Sequence, residues 1–412
     1  MRPVTDESLH AASSGALAGV RVVDLTTVLM APLATRMMAD HGADVIRVES
    51  IEGEPFLSTP PARSAGMNWF ALNLHRNKRS LALDLKQPSA AASARRLVAS
   101  ADVVVSNMRR GALERLGLDA VTLCAAHPRL IHCTANGYRS DGPGADRAAY
   151  DDAIQAASGF AALHNAIDGV PRFAPAVLAD KVCGLHILQA VLAALFFRER
   201  TGRGQAIEVP MFETMVAFNL AEHHAGHIFD PPVGNIGYTR VLNRSRKPYR
   251  SADGWVCLLP YTERNWRDFF DFVGQPAWVE DPRFGSHSER IANSEALYGL
   301  VEELAPLHTV AEWLEFCDAH SIPAAPVMDL ADAPQDPNIQ AVDLLPVVEH
   351  PTEGRYRAVR DPIQYQASPT ALRRHAPRPG QHSAEILREL GLEDTEVAAM
   401  VATGAVSLGA KQ

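Results

Sequence analysis

Apolar runs alternate with amphipathic stretches through the first half of the chain. "GVRVVDLT" reads as an apolar strand, "APLATRMMADHG" as a helix with Pro32 in its first turn and Gly42 as its stop, and "ADVIRVES" as a second strand. The pattern recurs, with "RSLALDLK" as strand, "PSAAASARRLVASA" as a helix opened by Pro88, and "DVVVSNM" and "RLIHCTANGY" as further strands. Strands alternating with helices predict an α/β fold built on a mostly parallel, doubly wound sheet. "VLADKVCGLHILQAVLAALFFRERTGRG" predicts one long helix opened by Asp180, and "GQAIEVPMFETMVAFNLAEH" adds a strand and a helix. No stretch reaches the roughly 18 uninterrupted apolar residues of a membrane span. The long helix contains His186 and Gln189 and ends in charged residues, so it reads as buried within a protein core.

From about Phe229 the texture changes. "DPPVGNIGYTRVLNRSRKPYRSADGWVCLLPYTERNW" is rich in Gly, Pro, Asn and aromatic residues and marks a boundary. "NWRDFFDFVG" and "LYGLVEELAPLHTVAEWLEFCDAHSI" then read as amphipathic helices around one short hairpin. The expected organisation is a large domain over residues 1–228, a small α+β domain with its linkers over 229–335, and a segment, 336–412, that returns to the large domain. In that last segment "LLPVVEHPTEGRYRAVRDPIQY" reads as strand and hairpin and "PRPGQHSAEILRELGL" as a docking helix. The opening "MRPVTDESLHAASSGALAG" lacks the continuous apolar core of a signal peptide and reads as a short mobile tail.

Composition narrows the function. With 47% hydrophobic residues among 412, the chain can bury one large core or two. A net charge of -9 leaves no basic field for DNA or RNA, so a nucleic-acid partner is excluded. Cys124, Cys133, Cys183, Cys257 and Cys317 are widely spaced without a CxxC pair, which points away from a disulfide framework or zinc site and toward reducing cytoplasm.

Glu49 ends the second strand where a ribose-binding acid of a dinucleotide fold would stand. The preceding loop, "DLTTVLMAPLAT", lacks G-x-G-x-x-G, so a pyrophosphate has no glycines to approach, and Glu49 reads as a solvated acid or a contact to another ligand. "RTGRGQ" lacks the Lys-Ser/Thr pair of a phosphate loop and reads as a helix end, with Gly202 and Gly204 permitting the reversal. "RNKRS", residues 76–80, reads as a solvated basic turn in preference to a contact for the phosphate groups of an anionic cofactor. Asp180 has two readings. As an N-cap it stabilises its helix by about 1 kcal/mol. As a reactive carboxylate it stands beside N–H groups that stabilise an oxyanion.

A family resemblance joins these segments. "LAGVRVVDLTTVLMAPLATRMMADHGADVIRVE", "NKRSLALDLK", "ADVVVSNMRRGALERLGL", "YDDAIQAASG", "LADKVCGLHILQAVLAALFFRERTGRGQAIEVPMFE", "SIPAAPV" and "RPGQHSAEILRELG" resemble, in order, the family III coenzyme A transferases. That group includes formyl-CoA transferase, carnitine/butyrobetaine CoA-transferase and the α-methylacyl-CoA racemases. The resemblance implies a large Rossmann-like domain, a small α+β domain, two linkers and an interlocked homodimer. It implies that Asp180 is a covalent nucleophile, with acyl-CoA and a small carboxylic acid as substrates and neither a metal nor a permanently bound cofactor. Oxyanion donors are expected around Lys181 to Gly184 or in a loop of the partner subunit. Coenzyme A is expected against Thr27, Val28, Leu29 and Met30, with Lys78 near phosphates, Asn107, Met108 and Arg115 beside it, and Met211 close to Asp180. Asn136, Tyr138 and Tyr150 complete the expected substrate-binding set.

Departures sharpen the expectation. Ser50 and Asn136 replace an Arg and a Lys of formyl-CoA transferase, and the glycine-rich lid of that enzyme gives way to "NRSRKPYRSADGW". Arg244, Arg246 and Lys247 in that segment either clamp the second carboxylate of a dicarboxylate such as succinate or form a solvated loop. The alternative activity, an α-methylacyl-CoA racemase using Asp180 as acid and base, needs a His before Asp151. Tyr150 stands there, and a phenol of pKa about 10 partners a base poorly near neutral pH. A third possibility is a non-catalytic CoA-binding protein whose Asp180 only caps its helix. The transferase is preferred.

Overall fold

The structure, a computed structural model, describes residues 15–409, so residues 1–14 of the expected N-terminal tail lie outside the described residues. It forms two compact units, one holding the chain up to Ser158, Ala174–Ala217 and the residues from Pro337 onward, the other Gly159–Phe173 and Phe218–Asp336.

The first unit is built on strands β1 (Arg21–Leu25), β2 (Asp44–Glu49), β3 (Lys78–Leu83), β4 (Val103–Ser106), β5 (Ile131–Asn136) and β6 (Ala206–Pro210). Between them run α1 (Met30–Asp40), α2 (Trp69–Leu74), α3 (Pro88–Ala99), α4 (Arg110–Leu116), α5 (Ala120–Ala126) and α6 (Asp151–Ala157). After α7 (Phe160–Asp168) of the second unit come α8 (Leu178–Thr201) and α9 (Met211–His223). The six strands are parallel in the order β3-β2-β1-β4-β5-β6. The chain winds outward from β1 through β2 to β3, then crosses to β4 on the other side of β1, which opens a crevice beyond the carboxyl ends of the central strands.

Strand alternation divides the burial between the two faces. Val23, Leu25, Ile46, Val48, Leu81 and Leu83 pack with Leu97 and Val98 of α3 and with the helices Ser383–Glu389 and Asp394–Ala402. The opposite face carries Val22 and Val45 but also Asp24, Lys78 and Ser80, and α1 lies over it, its Thr35 bonded to Asp24. A buried stripe of Ala179, Cys183, Ile187, Val191 and Ala194 runs along α8, which packs against α1, β5 and β6. Its C-terminus turns at Gly202 in the left-handed conformation, and Gly204 approaches the Leu130 carbonyl too closely for any side chain, as the reversal requires. The expectation of a wholly buried helix is corrected, since Leu185, Leu192 and Phe196 are exposed on its outer face. By length and composition α8 is the one helix among the described residues capable of crossing a membrane, and here its inner stripe packs on the sheet.

The second unit centres on an aromatic core in which Phe269 stacks on Trp313 at 5.5 Å. Its helices start on capping boxes, Thr262 with Asn265 and Thr309 with Glu312. Strands β7 (Tyr249–Arg250) and β8 (Trp255–Leu258) form the expected hairpin, and β9 (Ala324–Pro326) adds an antiparallel third strand that the sequence pattern did not reveal. Back in the first unit, β10 (Val347–His350) and β11 (Gly354–Arg357) pair as an antiparallel hairpin, and β12 (Val406–Ser407) adds an antiparallel edge to β3. Two residues are too short a strand to announce itself by periodicity.

Candidate active site

Asp180 is the third residue of α8, behind an N-cap at Val177, and its side chain makes no capping hydrogen bond. The N-cap reading is therefore corrected, and Asp180 stands as an acid of the first turn. Asp180 is 8% exposed, and no hydrogen bond reaches its carboxylate among the described residues. Burial first, and then the charge of Asp151, pushes it up to about 7. Asp151, first residue of α6, accepts the backbone N–H of Asp180 at 2.9 Å and the Gln155 amide through its other oxygen. Gln155 accepts the Ala174 N–H at 2.8 Å, so the "YDDAIQAASG" stretch fixes the start of α8. Sequence reasoning missed Asp151 and Gln155 as site residues. Their only signal was an acid and an amide four residues apart, on one helix face.

Of the expected oxyanion donors, those at Lys181 to Gly184 are corrected. With the helix beginning at Leu178, the N–H groups from Lys181 to Gly184 are committed to the i to i−4 ladder. Those of Leu178 and Ala179 are the first-turn donors left over, since Asp180 gives its own to Asp151.

Residues that follow Asp180 on α8 meet two further helices. One turn along α8, Gly184 meets α1 so closely that a Cβ would lie 2.7 Å from the Met30 carbonyl oxygen. Cys183 lies 3.9 Å from the carbonyl oxygen of Met211, which opens α9. Burial pushes the Cys183 thiol up to about 12, with Asp180 and Asp151 adding to the effect, so it stays protonated beside the carboxylates. Met30 thus meets α8 at Gly184 and Met211 meets it at Cys183, four and three residues along the helix from Asp180.

The crevice at the carboxyl ends of β1 to β4 holds a cleft of about 770 Å³. Thr27, Met108 and Arg115 line it together with Lys86, Arg95 and Glu54. Asp180 is not among its lining residues; the link is the Thr27–Met30 loop, which borders the cleft at Thr27 and meets α8 at Met30. Asn107 brackets that loop, accepting the Thr27 N–H at 3.0 Å and donating to its carbonyl at 2.9 Å. Val28 has φ 69°, and its N–H donates to Glu54 at 2.6 Å. Leu29 is buried.

Lys78 does not reach the cleft. Its ammonium is fully buried, 2.9 Å from Asp24, and bonds Thr35 and the Pro32 carbonyl. Burial pushes it down to about 8, with Asp24 opposing. The expected phosphate contact is corrected: Lys86, at the end of the same segment, is the lysine that faces the cleft. All of "RNKRS" is buried, Arg76 against Asp40 and Arg79 against Asp44, Glu385 and Glu389, which overturns the solvated-turn reading. Glu49 is buried too, paired with Arg47 at 2.8 Å and bonded by Ser80.

Three expected residues stand apart. Asn136 donates to Glu208 at 2.8 Å in a separate cavity of about 300 Å³. Tyr138 packs beside Phe212, and Tyr150 is 71% exposed at the start of α6. In the second unit Lys247 pairs with Glu302 at 2.7 Å, while Arg244 and Arg246 are exposed.

Known proteins resemble this chain over most of its length. A model of CoA-transferase family III matches residues 17–383. A succinate–glutarate CoA-transferase of Agrobacterium fabrum is 32% identical, over 91% of this chain and 95% of its own. A succinyl-CoA–L-malate CoA-transferase beta subunit of Chloroflexus aurantiacus is 31% identical, over 92% and 96%. A formyl-CoA:oxalate CoA-transferase of Afipia carboxidovorans is 29% identical, over 95% and 97%. The crystal structure of a CAIB/BAIF family protein from Brucella suis superimposes with a TM-score of 0.77 at 29% identity, covering 92% of this chain and all of that one. The named relatives are transferases, against the racemase alternative. The chain belongs to CoA-transferase family III and is a CoA-transferase enzyme.

Proposed function

We propose that the enzyme moves coenzyme A from an acyl-CoA to a carboxylic acid through covalent intermediates on Asp180. The observation that carries this reading is a buried carboxylate, in the first turn of a helix, that is not the N-cap and accepts no hydrogen bond from the described residues. In the first step an Asp180 oxygen attacks the thioester carbonyl, giving an acyl-aspartyl anhydride and CoA thiolate. The thiolate attacks the aspartyl carbonyl and expels the donor acid as carboxylate, leaving an aspartyl-CoA thioester. The acceptor carboxylate attacks that thioester, forming a new anhydride, and the thiolate then takes the acceptor acyl group and frees Asp180. Leu178 and Ala179 offer N–H donors for the oxyanions, and the positive end of α8 favours them.

The nucleotide end of CoA occupies the 770 Å³ cleft, with Lys86, Arg95 and Arg115 meeting phosphates, and the pantetheine arm follows the Thr27–Met30 loop toward Asp180. The substrates are dicarboxylates, a reading supported by the succinate, glutarate, malate and oxalate in the relatives' names and by the basic Arg244 and Arg246. The working form is a homodimer with a doubly wound, Rossmann-like large domain, placed in the cytoplasm. Free thiols at all five cysteines fit that compartment.

The test is incubation with succinyl-CoA and other acyl-CoA donors, followed by mass spectrometry of the peptide containing Asp180. A CoA adduct on Asp180 in the wild type, and loss of turnover by a factor of about 10³ or more in a folded D180A, are expected. Full activity in D180A refutes the assignment.

A further inference from the structure

We infer that Glu54 is a positioning residue for coenzyme A: its carboxylate holds Val28 in a left-handed backbone conformation and thereby keeps the Thr27–Met30 loop in its ligand-ready shape. The inference rests on the coenzyme A reading above. Val28 is β-branched and has φ 69°, a region that such side chains rarely enter. Its N–H donates to one Glu54 oxygen at 2.6 Å, and the other oxygen takes the Arg47 guanidinium at 3.0 Å. Arg47 is anchored in turn by Glu49 at 2.8 Å, and Glu49 by the Ser80 hydroxyl, so the brace runs back into β2 and β3. A charged acceptor gives a short, strong hydrogen bond.

The loop is held from its other side as well, where the Asn107 amide takes both the N–H and the carbonyl of Thr27. Two successive backbone N–H groups are thus occupied by side chains that arrive from the ends of β2 and β4. Released from Glu54, Val28 would relax to negative φ and turn the peptide on either side of it. Thr27, on the cleft wall, and Leu29, which precedes α1, would move with it. The fraction of molecules with a competent loop would fall, and apparent affinity falls with that fraction.

The test uses the full chain and four variants, E54A, E54Q, V28G and V28G/E54A, each first compared with wild type in thermal unfolding. Binding of free CoA is measured by calorimetry, and turnover with succinyl-CoA. E54A is expected to weaken CoA binding about tenfold and raise KM in step, with kcat within about threefold. E54Q keeps an oxygen that accepts the Val28 N–H and is expected within about threefold of wild type. With V28G the left-handed conformation is free of penalty, so adding E54A is expected to cost about threefold or less. An E54A loss equally large in the presence of V28G makes Glu54 a direct ligand contact and overturns the inference, as does an E54A with unchanged affinity. Should E54A not fold, E54D, whose carboxylate falls one methylene short of Val28, must show the same loss and the same relief by V28G; otherwise the inference is overturned. A wild type that neither binds CoA nor turns over any acyl-CoA refutes the coenzyme A reading itself, before any variant is compared.

Discussion

At the scale of single residues, the proposed catalytic role and stability pull Asp180 in opposite directions. Its folded pKa of about 7 lies above its ordinary 3.8, so the fold favours the protonated acid. Below about pH 4 the group is neutral in both folded and unfolded chains and costs nothing; the cost grows up to about pH 7 and is complete above it, near 4 kcal/mol. D180N should therefore be inactive yet more stable than wild type at pH 8, with the difference gone by about pH 4, as read from denaturant unfolding across pH. Equal stability at pH 8 contradicts the raised pKa. In the proposed mechanism the carboxylate form attacks, so activity should rise with pH through about 7. D151N removes the neighbouring charge and should move that limb toward acid, while a limb that stays put would show burial alone to be responsible. Lys78 and Lys86 divide along a different line. K78M leaves Asp24 charged and buried without its partner, which typically costs about 3–5 kcal/mol. K86A should fold normally and weaken CoA binding in a salt-dependent way, since Lys86 is exposed on the cleft.

At the scale of elements, the contact between α1 and α8 links the Thr27–Met30 loop to the helix that carries Asp180, the proposed nucleophile. Gly184 makes it possible, because any Cβ there would press on the Met30 carbonyl at 2.7 Å. G184A should force the helices apart and destabilise by about 1–3 kcal/mol, with a loss of activity larger than the shift in melting temperature explains. Wild-type turnover in G184A would uncouple the two helices. The asymmetry of α8 belongs to the same scale. Its inner stripe is small or branched and packs on the sheet, while Leu185, Leu192 and Phe196 form an apolar outer face. An exposed apolar face of that kind is a place for another protein surface.

At the scale of the whole molecule, the proposed homodimer predicts a sedimentation mass of twice the 44.6 kDa chain at micromolar concentration. A monomer that retains turnover would refute it. The strand and helix pattern was legible along most of the first unit, because two periods, 2 for strands and 3.6 for helices, are written in the order of apolar residues. Strands β1 to β6, the helix from Pro88 and the long α8 all follow it. Family membership was legible as well, through segments spread over nearly the full length. Asp180 was visible in the sequence, but whether it caps or reacts was open, because both roles use an acid near a helix start.

What only the tertiary structure decided were the partnerships between residues distant in sequence. Lys78 and Asp24 are 54 positions apart and meet only when β3 and β1 are laid in one sheet with α1 across them, so a lysine that reads as free proves committed. Asp151 and Asp180 lie 29 apart, and the bond that sets the helix start, with the charge that adds to burial in raising Asp180, exists only after α6 packs against α8. Periodicity is a local property and survives in a one-dimensional string. Burial, charge pairing and the freedom of a carboxylate to react depend on which atoms remain beside it once water has been excluded.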